Sequence, residues 1–146
     1  MNWYLYSFNE LSLQQLYQIL KVRQEVFVVE QTCPYLDADG ADEQALHLFA
    51  EDDSGLLVAY ARLYVADAQQ PYSRIGRVLT HAKVRRSGLG RELMQRAIDF
   101  LHQQSPTTPI RLGAQVYLMD FYQSFNFKPI SEQYLEDDIP HIDMER

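Results

Sequence analysis

The spacing of apolar residues changes several times along the chain, and each spacing predicts an element of secondary structure. An aromatic run over residues 3–8 is typical of an opening strand. Ser12 and Gln15 then stand at the spacing of a capping box, in which the serine accepts the glutamine backbone N–H. Apolar residues recur every three or four positions after it, which predicts a helix over residues 12–28 with a break near Arg23.

The pattern of apolar and turn residues in the middle of the chain predicts three strands and a helix. Two apolar stretches flank Asp-Asp-Ser-Gly at 52–55, which is a favourable hairpin turn. The helix must end before Pro106, because proline cannot continue a helix. The predicted elements are strands over residues 45–50, 56–65 and 74–80 and a helix that starts at Gly88.

The pattern in the last third of the chain predicts a strand, a short helix and an antiparallel pair of closing strands. Their ranges are residues 110–114 for the strand, 118–125 for the helix, and 127–134 and 142–145 for the two closing strands. Strands that alternate with helices and then close as an antiparallel pair indicate an α/β or α+β fold with a mixed sheet.

The composition is that of an ordinary globular domain. The chain has 146 residues, of which 47% are apolar and 23% charged, and this is the usual length of one domain. No repeat or low-complexity tract divides it. We therefore expect residues 1–146 to form one domain.

The chain carries no signal that predicts export or membrane insertion. Its start lacks the basic and apolar regions of a signal peptide, and no apolar stretch approaches the ~20 residues that span a bilayer. Cys33 is the only cysteine and precedes Pro34 in a predicted turn, so we interpret it as a bystander thiol. We expect a reduced, cytoplasmic protein with no membrane partner and no bound metal.

The formal charge of −7 narrows the choice of partners. Nucleic-acid binding takes much of its affinity from basic residues that displace counterions, so this balance argues against a nucleic-acid partner. It favours a cationic partner such as an amine. Solubility explains the acidity equally well.

Residues 75–90 carry the most informative pattern: a strand, a short basic loop, and two glycines that open an amphipathic helix. The first turn of a helix has unpaired N–H groups and attracts negative charge. Gly88 and Gly90 let an anion approach the backbone because they have no Cβ. Three arginines add positive charge around the same point: Arg85, Arg86 and Arg91. Together these features predict a pyrophosphate-binding site.

Two glycines at this spacing are a weak signal by themselves, since they also fit an ordinary helix start. A dinucleotide-binding fold would place them near the start of a βαβ unit, with an acidic residue ~20 positions later. A kinase-type loop would need a following Gly-Lys-Ser/Thr, which is absent. The strand–loop–helix context and the arginines favour an anion site of another kind.

The stretch Arg-Arg-Ser-Gly-Leu-Gly at 85–90 resembles the Arg/Gln-x-x-Gly-x-Gly/Ala signature of the GNAT acetyltransferase superfamily. Residues 121–127 resemble the family's late helix motif, with Asn126 at its usual glycine. Asparagine is the non-glycine residue that best tolerates positive φ. Three further stretches are similar to the ElaA subgroup: Phe-Val-Val-Glu-Gln at 27–31, Gly-Ala-Gln at 113–115 and Ile-Pro-His-Ile at 139–142.

The resemblance implies a mostly antiparallel sheet flanked by helices, with a splayed strand that binds the cosubstrate. It implies acetyl-coenzyme A as the donor and direct attack by an amine in a ternary complex. The pantetheine arm would pair with the backbone of Val78 and Thr80. The implied cofactor-binding residues are Val78, Leu79, Thr80, Arg85, Arg86, Ser87, Gly88, Leu89, Gly90, Arg91 and Gln115, which stands where many members carry asparagine.

The same resemblance implies a catalytic tyrosine. Tyr122 matches the family's general acid, and a phenol with a pKa of ~10 can donate a proton to a developing thiolate. Without the resemblance we would interpret Tyr122 as a core aromatic. The base stays open, because the cofactor-binding strand has no carboxylate. The candidates are Glu30, His47, His81, His141 and a water relay.

Two acidic stretches remain outside this scheme: Asp37, Asp39 and Asp42, and residues 136–138. We interpret both as solvated loops rather than as the entry for a cationic acceptor. The first also lacks the glutamate that a calcium loop requires.

The leading hypothesis is an N-acetyltransferase whose acceptor is a small-molecule or protein amine. The alternative is a non-catalytic module that binds acetyl-coenzyme A as a sensor or partner. An acetyltransferase directed to nucleic acid is disfavoured by the charge. Exposed aromatics expected at Trp3 and Tyr4 would suit a homodimer contact, although the sequence does not fix the oligomeric state.

Overall fold

The chain folds around one eight-stranded sheet with helices on both faces. The computed structural model describes residues 1–146. The strands are β1 (Asn2–Ser7), β2 (Leu46–Glu51), β3 (Leu57–Tyr64), β4 (Ser73–Thr80), β5 (Ile110–Gln115), β6 (Lys128–Pro129), β7 (Tyr134–Glu136) and β8 (Ile139–Glu145). The helices are α1 (Leu13–Arg23), α2 (Leu89–Gln104) and α3 (Met119–Gln123).

The strands lie in the order β1-β2-β3-β4-β5-β8-β6, and β7 also pairs with β8. β4 and β5 run parallel, while every other pair is antiparallel. The predicted mixed, mostly antiparallel sheet flanked by helices is therefore confirmed.

Two apolar layers hold the helices on the sheet. The buried positions of α2 recur at helical spacing and belong to the larger core: Leu89, Leu93, Met94, Ala97, Ile98 and Leu101. On the other face, Ile19 and Val22 of α1 pack with Phe49, Tyr60 and Leu79. Each fully buried Val, Leu, Ile, Phe or Met side chain contributes about 1.5–3 kcal/mol, so these faces determine where the helices lie. No helix is both long and apolar enough to cross a membrane.

The first helix begins and ends as its sequence predicts. The Gln15 backbone N–H donates to Ser12 Oγ over 3.0 Å, and the Ser12 N–H donates to Gln15 Oε1 over 2.9 Å, which completes the capping box. α1 ends at Arg23, and a π-helical segment (Gln24–Glu30) continues the chain. The predicted break near Arg23 is confirmed.

β4 and β5 separate soon after they meet. They are paired only at Ser73 with Ile110 and at Arg74 with Arg111, although both strands continue for several residues. The two strands therefore splay, and a cleft opens between their carboxyl-terminal halves. This confirms the splayed strand that the family resemblance implied.

A bulge interrupts β4 opposite β3. Gly76 pairs with Arg62 and Leu79 with Tyr60, so β4 contains one more residue than β3 between these pairs. Arg77 lies in the bulge with a φ of 50°. Bulges re-aim side chains, and this one directs Arg77 to contacts on the α1 face.

The prediction of one strand over residues 127–134 is wrong. Only β6 and β7 are extended there, and each pairs separately with β8, which begins earlier than predicted. The reason is the two-residue turn at Asp137 and Asp138, whose positive φ values of 51° and 63° fold β7 directly back on β8. The helix predicted over 118–125 is shorter, because a 3-10 turn (Val116–Leu118) precedes α3.

The expectation that Trp3 and Tyr4 are exposed is also wrong. Both residues are half-buried. The Arg96 guanidinium lies over the Trp3 ring at 4.5 Å, and Tyr4 stacks on Phe49 with their ring centroids 5.1 Å apart. These aromatic side chains therefore pack within the same chain, and they supply no argument for a dimer.

Candidate active site

The splay between β4 and β5 opens into a cleft of about 1310 Å³. Its walls come from the π-helical segment, β4, the loop before α2, β5, α3, β7 and β8. Most of the predicted site residues line it: Val78, Leu79, Thr80, Arg85, Arg86, Gly88, Gly90, Arg91, Gln115 and Tyr122.

Two predicted cofactor-binding residues are outside the lining. Leu89 is buried in the core under α2. Ser87 is exposed, and its hydroxyl donates to the carbonyl of Val84. Leu79 lines the cleft but is itself buried in the α1-face core, so its side chain serves packing. These three side chains position the loop and the strand.

The helix start at one end of the cleft leaves room for an anion. Gly88 caps α2 with a φ of 85°, and a Cβ placed there would meet no atom within 4 Å. The first intrahelical bond of α2 runs from the Glu92 N–H to the Gly88 carbonyl, so the preceding N–H groups of the helix have no such partner. Gly88 is thus a left-handed glycine directly before the helix start, and the space in front of its Cα is open.

The three arginines of this loop make different contacts. Arg85 donates to both carboxylate oxygens of Glu30, with Nη2 2.7 Å from Oε2. Its Nε donates to the Thr80 carbonyl over 3.3 Å. Hydrogen bonding to Arg85 lowers the pKa of the Glu30 carboxyl. This pair bridges the mouth of the cleft, from the end of the π-helical segment to the basic loop.

The other two arginines flank the start of α2. Arg91 donates from Nη1 to Ser124 Oγ over 2.9 Å, and its guanidinium lies 4.6 Å from the centre of the Phe125 ring. Arg86 is exposed at the cleft, has a φ of 66° and makes no ion pair. Positive charge therefore lies on both sides of Gly88.

Tyr122 sits at the inner wall of the cleft, on the α2 side of the sheet. It is buried and packs edge-on against Phe121 and Phe127, with centroids 5.2 and 6.2 Å away. Burial raises the pKa of the Tyr122 hydroxyl, which has no hydrogen-bond partner within the chain. It lines the cleft in the protonated form at neutral pH.

The four candidate bases have different environments. His47 is fully buried: its Nε2 donates to the Asp42 carbonyl over 2.9 Å, and its Nδ1 accepts from Tyr60 over 2.7 Å. Burial lowers the pKa of His47. His81 caps a 3-10 turn (Ala82–Val84) by accepting the Lys83 N–H over 3.2 Å. Glu30 is paired with Arg85 as described above, and His141 lines the cleft.

A closed ring of ion pairs, here called the arginine–aspartate ring, lies beside the cleft on the α1 face. In order around the ring its members are Arg23, Asp37, Arg77, Asp39, Arg62 and Asp42. The six N–O contacts between neighbours range from 2.6 to 3.3 Å. It joins the end of α1, the loop that follows, β3 and the bulge of β4.

This ring shows that the interpretation of Asp37, Asp39 and Asp42 as a solvated loop is wrong. Asp37 and Asp42 are buried, and Arg23 is fully buried between them. Buried carboxylates persist when cations and hydrogen bonds compensate for lost water. The spacing of residues in the sequence did not predict the arginine–aspartate ring, because its arginines come from three separate elements. The only local signal was the cluster of three aspartates in a predicted turn.

Hydrogen bonds set the ionisation of two ring carboxyls. Hydrogen bonding to Arg62 is the main reason why the pKa of Asp39 is held well below its usual range. Burial by itself would raise the pKa of Asp42, but the bonds and charges of Arg23 and Arg62 lower it. Both carboxylates are therefore charged at neutral pH.

Two further polar contacts join distant parts of the chain in the lining of the cleft. Gln115 Nε2 donates to Gln31 Oε1 over 3.2 Å, and Gln31 Nε2 lies 3.4 Å from Gln115 Oε1. The buried Cys33 thiol donates to the Asp137 carbonyl over 3.2 Å, which ties the loop after the π-helical segment to the turn between β7 and β8. No group of three or more His, Cys, Asp or Glu side chains is arranged to hold a metal ion.

Known proteins share both the sequence and the architecture. The Acetyltransferase (GNAT) domain family matches residues 10–146. Protein ElaA of Escherichia coli (strain K12) is 42% identical over 148 residues, which cover 99% of this chain and 95% of that protein. The crystal structure of Escherichia coli ElaA has a TM-score of 0.93 at 41% identity, covering 99% of this chain and 98% of the other. An acyl-CoA N-acyltransferase from Pseudomonas aeruginosa also has a crystal structure with a TM-score of 0.93, at 42% identity, covering 100% and 99%.

A splayed mixed sheet with a basic helix start beside the opening is the architecture of an acyltransferase that uses an acyl-coenzyme A donor. The chain belongs to the GNAT acetyltransferase family and is similar to ElaA along nearly its whole length. The family resemblance found in the sequence is thus confirmed.

Proposed function

We propose that the protein transfers an acetyl group from acetyl-coenzyme A to a primary amine in a ternary complex. The observation that carries the proposal is the splayed cleft, which joins a free strand edge, a basic helix start and the Tyr122 hydroxyl in one continuous space. GNAT family membership supports an acyl-coenzyme A donor and an amine acceptor. The choice of acetyl, and the residue roles below, are our own inference.

The helix start of α2 suits the diphosphate of the donor. Unpaired N–H groups and the helix dipole favour an anion there, and the open space at Gly88 lets it reach the backbone. Arg86 and Arg91 lie on either side to balance its charge. Arg85 can join them only by exchanging its bond with Glu30 for one with the anion.

The edge of β4 suits the pantetheine arm. Beyond Arg74 the edge that faces β5 has no neighbouring strand, so the backbone groups of Val78 and Thr80 can pair with an extended ligand. The bulge at Arg77 supports this, since it breaks the regular strand just before Val78. Gln115 faces the same space from β5.

Bound acetyl-coenzyme A supplies an activated thioester. Backbone N–H groups of β4 would polarise its carbonyl, and the amine nitrogen would attack the carbonyl carbon as the carbon–sulfur bond breaks. Tyr122 then donates its proton to the leaving sulfur. Burial raises the pKa of the Tyr122 hydroxyl, so this hydroxyl carries its proton at neutral pH before the transfer begins.

Calorimetric titration with acetyl-coenzyme A tests the donor site. Gly88→Asp puts a side chain and a negative charge where the diphosphate should lie, and we expect it to abolish binding. Gly55→Asp is the matched control, because Gly55 has a similar φ of 83° and open space but does not line the cleft. Both variants carry the same backbone strain and the same charge. Equal affinity of both variants and the wild type would refute the site.

A further inference from the structure

We propose that His141 is the general base of the reaction and that the acceptor amine enters from the α1 face of the sheet. This inference rests on the proposed acetyl transfer. An amine is mostly an ammonium at neutral pH and has no lone pair for attack, so some group must take a proton from it. The cofactor-binding strand, β4, offers no carboxylate or histidine for this task.

The alternation along β5 and β8 puts His141 and Tyr122 on opposite faces of the sheet. Ile142 and Met144 belong to the same buried core as Tyr122, beneath α2. Residues alternate across a strand, so His141 and Asp143 point to the α1 face. His141 lies directly opposite Gln115 in the β5–β8 ladder, at the point where β5 lines the cleft.

A donor inserted through the splay would thus have an acid on one side and a base on the other. Tyr122 would face the leaving sulfur from the α2 side, while His141 would face the incoming nitrogen from the α1 side. Direct attack is compatible with this separation, because the amine approaches one face of the planar thioester while the sulfur can receive its proton from the other side.

The hydrogen bonds of His141 leave one position of its ring ready for a proton. Nδ1 lies 2.7 Å from the Ile139 carbonyl, which can only accept, so Nδ1 carries the hydrogen of the neutral ring. Nε2 therefore carries the lone pair, and Glu136 Oε2 lies 3.3 Å from it, so this largely exposed carboxylate must turn aside before an amine can donate to Nε2. Both neighbours are acceptors, but neutral imidazole has one N–H. A proton taken up at Nε2 would complete the second bond, to Glu136.

Every group around the His141 imidazole is compatible with its role as the general base. From β7, Tyr134 stacks on the ring with centroids 6.0 Å apart, and Glu136 supplies the carboxylate. On the same face of β8, Asp143 accepts from the Tyr134 hydroxyl over 2.6 Å. From β5 the facing residue is Gln115, which is uncharged. No cation makes an ion pair or a cation–π contact with this group.

Tyr134 holds the ring in place through a glycine on β5. A Cβ on Gly113 would lie 3.2 Å from the Tyr134 hydroxyl, closer than nearly all real contacts. The bare backbone of Gly113 is therefore what allows Tyr134 to lie across β5 and β8. His141 is buried and lines the cleft.

The other candidates lack one or more of these features. His47 is enclosed in the core, with both ring nitrogens already bonded. His81 is outside the cleft lining, and its Nδ1 accepts a backbone N–H. Glu30 pairs through both oxygens with Arg85 of the basic loop, so it lies at the end of the cleft that we assign to the diphosphate and not to the thioester. Among the four, His141 alone combines a ring-nitrogen lone pair with a place in the cleft wall.

The protons balance as follows. The ammonium gives one proton to Nε2 of His141, which later releases it to water. The nitrogen gives up a second proton after it bonds to the acetyl carbon. That proton replaces the one that Tyr122 gives to the sulfur, so one proton is released in each turnover.

The test measures kcat against pH at saturating acetyl-coenzyme A, with putrescine, glucosamine and a lysine peptide as probe acceptors. His141→Gln keeps a polar side chain of similar reach but cannot take up a proton. We expect it to lower kcat about 100-fold or more and to remove the acid limb of the wild-type profile. Its affinity for acetyl-coenzyme A should stay unchanged.

His102→Gln is the matched control, because His102 is exposed in the last turn of α2, outside the cleft. If His141→Gln keeps the wild-type kcat and its acid limb, His141 is not the base, although acetyl transfer would stand. Loss of the limb in His81→Gln instead would give the role to His81. A wild type that neither binds acetyl-coenzyme A nor acetylates any probe would overturn the proposed function itself, and this inference with it.

Discussion

Arg77 Nε donates a hydrogen bond to Asp37 Oδ1 over 2.9 Å, and these two residues are 40 positions apart in the chain. The contact joins the bulge of β4 to the loop that follows the π-helical segment. Arg77 lines the cleft, and its guanidinium lies over the Tyr35 ring at 5.6 Å. The strand that would bind the donor is thus held in its bulged form by a buried carboxylate.

Removal of one charge from the arginine–aspartate ring should destabilise the fold. Asp37→Asn leaves Arg23 and Arg77 without their shared anion, and Arg23 is fully buried. We expect a loss of about 3 kcal/mol in the free energy of unfolding, as for other broken buried pairs. Urea titration followed by circular dichroism measures it. Asp53→Asn is the control, because Asp53 is fully exposed, and a similar loss there would contradict a role for burial.

Stability should fall in acid because of Asp39 and Asp42. Their pKa values are lowered in the folded chain, so the carboxylates stabilise the fold fully above the unfolded value of about 3.9. Below that value the unfolded chain takes up protons first, so the stabilisation declines progressively as the pH falls towards the lower pKa values of the folded chain. Thermal unfolding measured from pH 6 to about pH 2 should show the decline.

The double variant Asp39→Asn/Asp42→Asn should show a shallower decline, from a lower starting stability. Asp53→Asn again serves as the control and should follow the wild type. A double variant with the same slope as the wild type would assign the acid sensitivity to other carboxyls.

Release of Arg85 should strengthen donor binding. Glu30 competes with the diphosphate for the Arg85 guanidinium, and both side chains are partly exposed. Exposed pairs are worth up to about 1 kcal/mol, so Glu30→Gln should raise the affinity for acetyl-coenzyme A by about two- to fivefold. Glu25→Gln is the control, because it breaks a similar exposed pair, with Lys21, outside the cleft. Weaker binding by Glu30→Gln would mean that Glu30 positions Arg85 for the donor.

Loss of the Tyr122 hydroxyl should affect turnover more than binding. Tyr122→Phe keeps the packing against Phe121 and Phe127 but removes the proton donor. We expect kcat to fall about 10- to 100-fold, while the dissociation constant for acetyl-coenzyme A changes less than twofold. Steady-state kinetics and calorimetry on the same preparations separate the two effects. A larger change in affinity would give Tyr122 a role in packing or donor contact.

Local patterns in the sequence were sufficient for most elements. The capping box at Ser12, the hairpin turn before β3 and the two glycines before α2 each depend on contacts within a few residues. The closing strands were harder, because the pattern over residues 127–134 predicted one strand. Only their pairing with β8 decides where the chain leaves the sheet between Lys128–Pro129 and Tyr134–Glu136.

The sequence by itself determined the family, the order of most helices and strands, and the basic loop with its glycines, since these depend on residues close together in the chain. Only the tertiary structure decided that three turn aspartates lie in an ion-pair ring with Arg23, Arg62 and Arg77, and that His141 faces the cleft. Burial and charge pairing depend on which strands become neighbours. That choice is made by packing across the whole sheet, so no window of the sequence contains it.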